Sequence, residues 1–89
     1  MTSIRELVSG NFLHDGDRLI WNRKGLQTVH KATVSSIGTI KTDDGKVHKS
    51  PSGAAKHLGK RPIDGWLAWK LESSGESLDS IRRRFLSSQ

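Results

Sequence analysis

The chain has 89 residues, four His and no Cys, and 15 Lys and Arg against 9 Asp and Glu give a formal net charge of +6. This length suits one domain, and the missing cysteines exclude a disulfide framework, a thiolate zinc site and a cysteine nucleophile. A hydrophobic fraction of 33% with nine Gly is lean but richer than a disordered tail; no stretch reaches the apolar length of a membrane span, and the basic balance points to an anionic partner, nucleic acid first.

Ser3-Ile4-Arg5-Glu6 opens the chain with a capping box, in which Ser3 accepts from the backbone and Glu6 reaches back. A short helix follows, with Ile4, Leu7 and Val8 on one face and Gly10 as its stop. No signal-peptide stretch precedes it, so the default address is the cytoplasm. Asn11 to Gly16 is a connection whose Phe12 and Leu13 anchor the helix end. Arg18 to Arg23 reads as a strand with Leu19 and Trp21 on one face. Lys24-Gly25 is a turn candidate. Leu26 to Val34 alternates as a second strand: Leu26, Thr28, His30, Ala32 and Val34 point one way, Gln27, Val29, Lys31 and Thr33 the other. Ile37 to Thr42 is the next strand, with Gly38 marking a bulge or a close backbone contact. Asp43-Asp44-Gly45 signals a hairpin turn, and Lys46 to Lys49 pairs back.

Ser50 is a natural N-cap, and Pro51 suits the first helical position, where its missing N–H is not needed. Ala54, Ala55 and Leu58 form the buried stripe of this short helix, and Gly59 ends it. Asp64-Gly65 makes a turn. Trp66 to Leu71 is best read as a strand, with Leu67, Trp69 and Leu71 on one face and Trp66, Ala68 and Lys70 on the other; on a helix the two tryptophans would come together. Ser77 caps a closing helix to about Leu86, with Leu78, Ile81 and Phe85 inward and Asp79 within reach of Arg82 or Arg83. The expected fold class is α+β: a short N-terminal helix, an antiparallel β-meander, a short Ser-capped helix, a further strand and a C-terminal helix, in one domain over residues 1–89.

The charge is unevenly spread. Residues 1–45 carry six basic and five acidic side chains, net +1, while 46–89 carry nine and four, net +5. The excess lies in the sixteen residues from 46 to 61, where Lys46, Lys49, Lys56, Lys60 and Arg61 stand without one acid and His48 and His57 add latent charge. They frame the Ser50 helix start, whose free N–H groups and dipole favour anions. A phosphate-contacting surface is the functional reading; a solvated lysine rim is the plain one. Arg82-Arg83-Arg84 reads as a solvated helix face partly neutralised by Asp79. His14, His30, His48 and His57 lack metal-ligand spacing. Neither a nucleophile elbow nor a glycine-rich nucleotide loop is present, so no catalytic residue, metal or cofactor is expected.

Ser50-Pro51-Ser52-Gly53-Ala54-Ala55, followed by Asp64-Gly65-Trp66-Leu67-Ala68-Trp69, resembles the RAMA domain, a module associated with restriction enzymes and adenine methyltransferases. That family's pattern is Ser-Pro-Ser-x-Ala-Ala, a short variable loop, then Asn-Gly-Trp-x-x-Trp. Leu13 to Asp17, Ala32-Thr33-Val34, Gly38-Thr39-Ile40 and Leu78 to Arg82 also fit, so the resemblance covers nearly the whole chain. Asp64 replaces the usual Asn, and Gly53 stands where Ala is common. The resemblance implies a compact α+β domain that binds DNA, methylated or otherwise modified DNA included. Such domains are usually fused to methyltransferases, nucleases or other defence modules; this chain would then be a free-standing reader or adaptor, or a fragment of something larger.

The leading expectation is a double-stranded DNA-binding module in a restriction-modification or defence setting. Lys46, Lys49, Lys56, Lys60 and Arg61 would hold phosphates, Ser50, Ser52 and the helix start would fix the register, Trp66 and His57 would make the closer contact with a base or a lesion, and His48 joins the DNA-binding set through its latent charge. Trp66 has two readings, as a stacking platform for a base or as packing beneath the Ser50 helix. Pro51, Gly53, Ala54, Ala55, Gly65 and Trp69 form the structural motif. The alternative is a protein-interaction adaptor that joins a methyltransferase or nuclease subunit without touching DNA. No membrane partner is expected, and the oligomeric state stays open.

Overall fold

The computed structural model describes residues 2–89. Its elements run α1 (Ile4–Ser9), β1 (Arg18–Arg23), β2 (Thr28–Val34), β3 (Ile40–Thr42), β4 (Val47–His48), α2 (Pro51–Gly59), α3 (Gly65–Ala68), β5 (Lys70–Leu71) and α4 (Leu78–Ser87). The strands form one antiparallel sheet in the order β4-β3-β2-β1-β5. The architecture is α+β. The capping box at Ser3 closes as its sequence requires, with both reciprocal bonds present.

Alternation decides which sheet face is covered. Leu19 pairs with Ala32, Ala32 with Thr42 and Val34 with Ile40, so these side chains share a face. All five are buried there with Ile4 and Leu7 of α1, Leu13, Ala54 of α2, Trp69, and Leu78 and Ile81 of α4. The opposite face carries Val29, Lys31, Lys41 and Val47, all exposed. Phe12 meets Phe85 edge-on at 5.6 Å and ties the end of α1 to α4. Gly38, at φ +92°, lies against α1: a Cβ there would stand 2.8 Å from that of Arg5. The glycine therefore marks a close backbone contact.

Four expectations about element detail need correction. Leu26 lies outside β2, in a 3-10 turn over Lys24–Leu26, and is 61% exposed. Gln27 takes the left-handed conformation, φ 51°, and breaks the alternation before Thr28. Ile37 is exposed and precedes β3, which starts at Ile40 after the Ser35–Thr39 turn. Gly59 is the last helical residue of α2, and Lys60, φ 63°, is the left-handed one that stops the helix. Gly59 instead makes room for its neighbours, since a Cβ there would collide with Ile63 and press on Trp21.

The fourth correction concerns Trp66 to Leu71, which is not one strand. Asp64 accepts from the Trp66 N–H and starts a one-turn helix, Gly65–Ala68, and only Lys70–Leu71 pairs with β1. Trp69 is fully buried, while Leu67 is exposed. The local cap at Asp64 overrides the two-residue alternation.

Candidate nucleic-acid interface

The Ser-Pro-Ser and Gly-Trp segments close on each other. Ser50 Oγ accepts from the Gly53 N–H at 3.0 Å and caps α2. Ser52 Oγ accepts from the Gly65 N–H at 3.0 Å, and the buried Trp69 indole donates to the Pro51 carbonyl at 3.2 Å. A Cβ on Gly65 would collide with that same Pro51 carbonyl. Only glycine lets α3 approach the first turn of α2 this closely. The two segments are thus one clasp, which sets where α2 projects its polar face.

Lys56 stands on α2, Lys60 caps it, Arg61 follows it, and Lys46 and Lys49 flank β4. Lys46, Lys49, Lys56, Lys60 and Arg61 are all exposed. Of the chain's fifteen Lys and Arg, five stand in salt bridges: Arg18 with Asp43, Lys31 with Glu72, Arg82 and Arg83 with Asp79, and Arg84 with Glu76. Among the described residues the other ten have no carboxylate partner, and all five of the 46–61 run are in that group. The C-terminal arginines are the reverse case, since each of the three is paired with an acid. The pairing of Arg82 and Arg83 with Asp79 follows from their spacing in the sequence, and the fold adds Glu76, which reaches Arg84.

A carboxylate does reach the basic face, from the hairpin turn just before it. Asp44 Oδ2 lies 2.6 Å from His57 Nε2. The Thr42 hydroxyl first, and then His57, hold the Asp44 carboxyl well below the usual carboxylate range. His57 and His48 face each other with ring centroids 4.8 Å apart. Burial first, and then the charge of His57, push His48 below an ordinary histidine, so it favours its neutral form. His30 is likewise lowered, by burial and then Arg23, and its Nε2 is buried without a hydrogen-bond partner among the described residues.

The family model for Restriction Enzyme Adenine Methylase Associated domains, RAMA, matches residues 1–89. The chain belongs to the RAMA family. No curated protein matches it. RAMA is by its description an associated domain rather than a catalytic one, and it sets this chain in a restriction-modification context. In this RAMA domain Asp64, at the position of the usual Asn, accepts the Trp66 N–H at 3.0 Å through a side-chain oxygen that both residue types possess.

The RAMA clasp engages two of the candidate contact residues internally, since the hydroxyls of Ser50 and Ser52 already accept backbone N–H groups. Trp66 is partly buried against the core, and the Arg82 guanidinium lies 4.4 Å over its ring. Of these candidate residues the structure brings His48 of β4 against His57 of α2, places Lys56 on α2 and Lys60 at its C-terminal cap, and sets Trp66 beneath Arg82 of α4. No helix is long and apolar enough to cross a membrane, and no group of three or more metal-ligating side chains gathers among the described residues. Asp44 was missed because the acid-free window opens at Lys46, two residues after it. The hairpin turn was the available signal, because a turn there brings its own side chains onto the following strand and helix.

Proposed function

We propose that this RAMA domain is a DNA-binding module that engages double-stranded DNA, methylated or otherwise modified DNA included, through the face formed by β4, α2 and the loop after it. The observation that carries this reading is the contrast between the two basic clusters. Five cations around α2 have no acid partner among the described residues, so their charge is available to phosphates. Lys46, Lys49, Lys56, Lys60 and Arg61 contact the backbone, and the N-terminus of α2 adds its dipole. His48 and His57, stacked on each other between β4 and α2, are the residues we assign to the groove edge.

With about four phosphates neutralised, the logarithm of the binding constant falls with the logarithm of salt at a slope near −3.6. A fluorescence anisotropy titration across salt concentrations measures this. Lys56→Glu with Lys60→Glu removes binding, and Arg83→Ala leaves it unchanged because Arg83 is already paired. Binding that ignores salt, or none at low salt, refutes the reading.

A second reading rests on Leu67, which is 57% exposed on α3 beside Trp66. It makes this end of the clasp a contact for a methyltransferase or nuclease subunit, without DNA. The same double lysine substitution then leaves a partner pull-down intact, whereas Leu67→Asp abolishes it.

A further inference from the structure

The acid-free run ends at Arg61, yet the acid-free surface continues. Arg61 and Ile63 form one wall of an open groove whose other wall is Trp21, Arg23, Gly25 and Leu26. The groove thus lies between the loop after α2 and the turn that joins β1 to β2. Among the described residues no carboxylate lines it, and neither arginine is in a salt bridge. Arg23 Cζ lies 4.9 Å over the Trp21 ring. The indole is held from elsewhere by the edge of Trp69 at 5.8 Å and by the bare backbone of Gly59. Leu26 is 61% exposed at the rim, held outward by the 3-10 turn and the left-handed Gln27.

An indole, a guanidinium above it, a second free guanidinium and an outward leucine suit one kind of ligand: a flat, weakly polar ring that carries a negative charge. Bases stack on aromatic faces and on guanidinium planes alike, and arginine grips phosphate through two parallel bonds. We propose that the groove takes a single unpaired nucleotide of bound DNA, its base against Leu26 and the Trp21–Arg23 stack and its phosphate on Arg61. This rests on the DNA-binding reading above, because Lys56 and Lys60 bring the strand to Arg61. An acidic peptide with an aromatic side chain shares part of this chemistry. Continuity with the lysine face favours the nucleotide.

Anisotropy titrations with two duplexes test the proposal, one fully paired and one carrying a single bulged adenine at its centre. The wild-type chain is expected to bind the bulged duplex about tenfold more tightly. Leu26→Ser brings that preference close to unity while the paired duplex is still bound as by the wild type, whereas Arg61→Ala, which also removes a backbone contact, weakens both duplexes and the bulged one more. Both positions are exposed, so the fold survives either change. Equal wild-type affinity for the two duplexes overturns the groove and leaves the DNA-binding reading standing. No binding of either duplex overturns both. Perturbation of the Trp21 indole N–H in NMR spectra by an acidic aromatic peptide, with no effect of the bulged duplex, also overturns the groove.

Discussion

Gly65 occupies a position that accepts no side chain, because a Cβ would be driven into the Pro51 carbonyl oxygen. That oxygen already accepts the Trp69 indole N–H, and the Gly65 N–H goes to Ser52. One substitution therefore disturbs two hydrogen bonds and the seat of a fully buried tryptophan. Backbone on backbone cannot be relieved by a rotamer change, so Gly65→Ala is expected to cost about 3 kcal/mol, the upper end for overpacking. Urea midpoints of the two proteins measure it, and a loss below about 1 kcal/mol would show that the clasp can slide apart cheaply. The residue scale also separates Trp66 from Trp69. They are three positions apart on one turn of backbone, yet Trp69 enters the core and Trp66 stops beneath Arg82.

The element that positions the candidate site is α2, nine residues long and held at both ends by different means. Its start follows local rules: Ser50 caps, and Pro51 occupies the first turn, where no N–H is needed. Its end does not, since Lys60 rather than a glycine takes the left-handed conformation. A side chain there costs roughly 1 kcal/mol relative to glycine. The lysine is exposed and has no acid partner among the described residues, so nothing there offsets that cost, whereas a phosphate contact would. Lys60→Gly is accordingly expected to raise stability by about 0.5–1 kcal/mol and to weaken DNA binding. Thermal melts and anisotropy together check the two signs. A variant that is more stable and binds equally well would remove Lys60 from the interface.

Across the whole molecule, histidines and carboxylates respond to acid in separate windows. Burial, and then the charges of Arg23 and His57 respectively, lower the pKa of His30 and His48 in the folded chain, while unfolded histidines take up a proton near pH 6.5. Their contribution is therefore complete above about pH 6.5 and is lost as the pH falls below it. Asp43, Asp44, Glu72 and Glu76 are all lowered, chiefly by the hydrogen bonds their carboxylates accept, from Arg18, Thr42, Lys31 and Arg84 respectively. What they contribute is present above about pH 4 and fades only below it. Urea midpoints from pH 8 to pH 3 should decline in two stages, and a flat curve from pH 8 to pH 5 would contradict the histidine assignment. Much of the architecture was legible before folding was considered. The Ser3, Ser50 and Ser77 caps, the Asp43-Asp44-Gly45 turn and the Leu78, Ile81, Phe85 stripe are local signals, since a side chain satisfies its own neighbouring backbone or a short repeat sets one face. The same holds for the α+β order and for the concentration of charge at 46–61. What needed the tertiary structure was every question of pairing at a distance. Trp66 to Leu71 alternates like a strand, but the turn capped by Asp64 makes Gly65–Ala68 helical, and the core then fixes Gly65 against Pro51 and buries Trp69. Asp44 joins His57 across thirteen positions, and Trp21 shares a groove with Arg61 across forty. In the C-terminal basic cluster the Asp79 pairs are local, and only the Arg84–Glu76 pair, eight positions apart and across the start of α4, depended on the fold. Local bonds are fixed by spacing along the chain, whereas charge neutralisation and close backbone contact depend on which segments the core brings together.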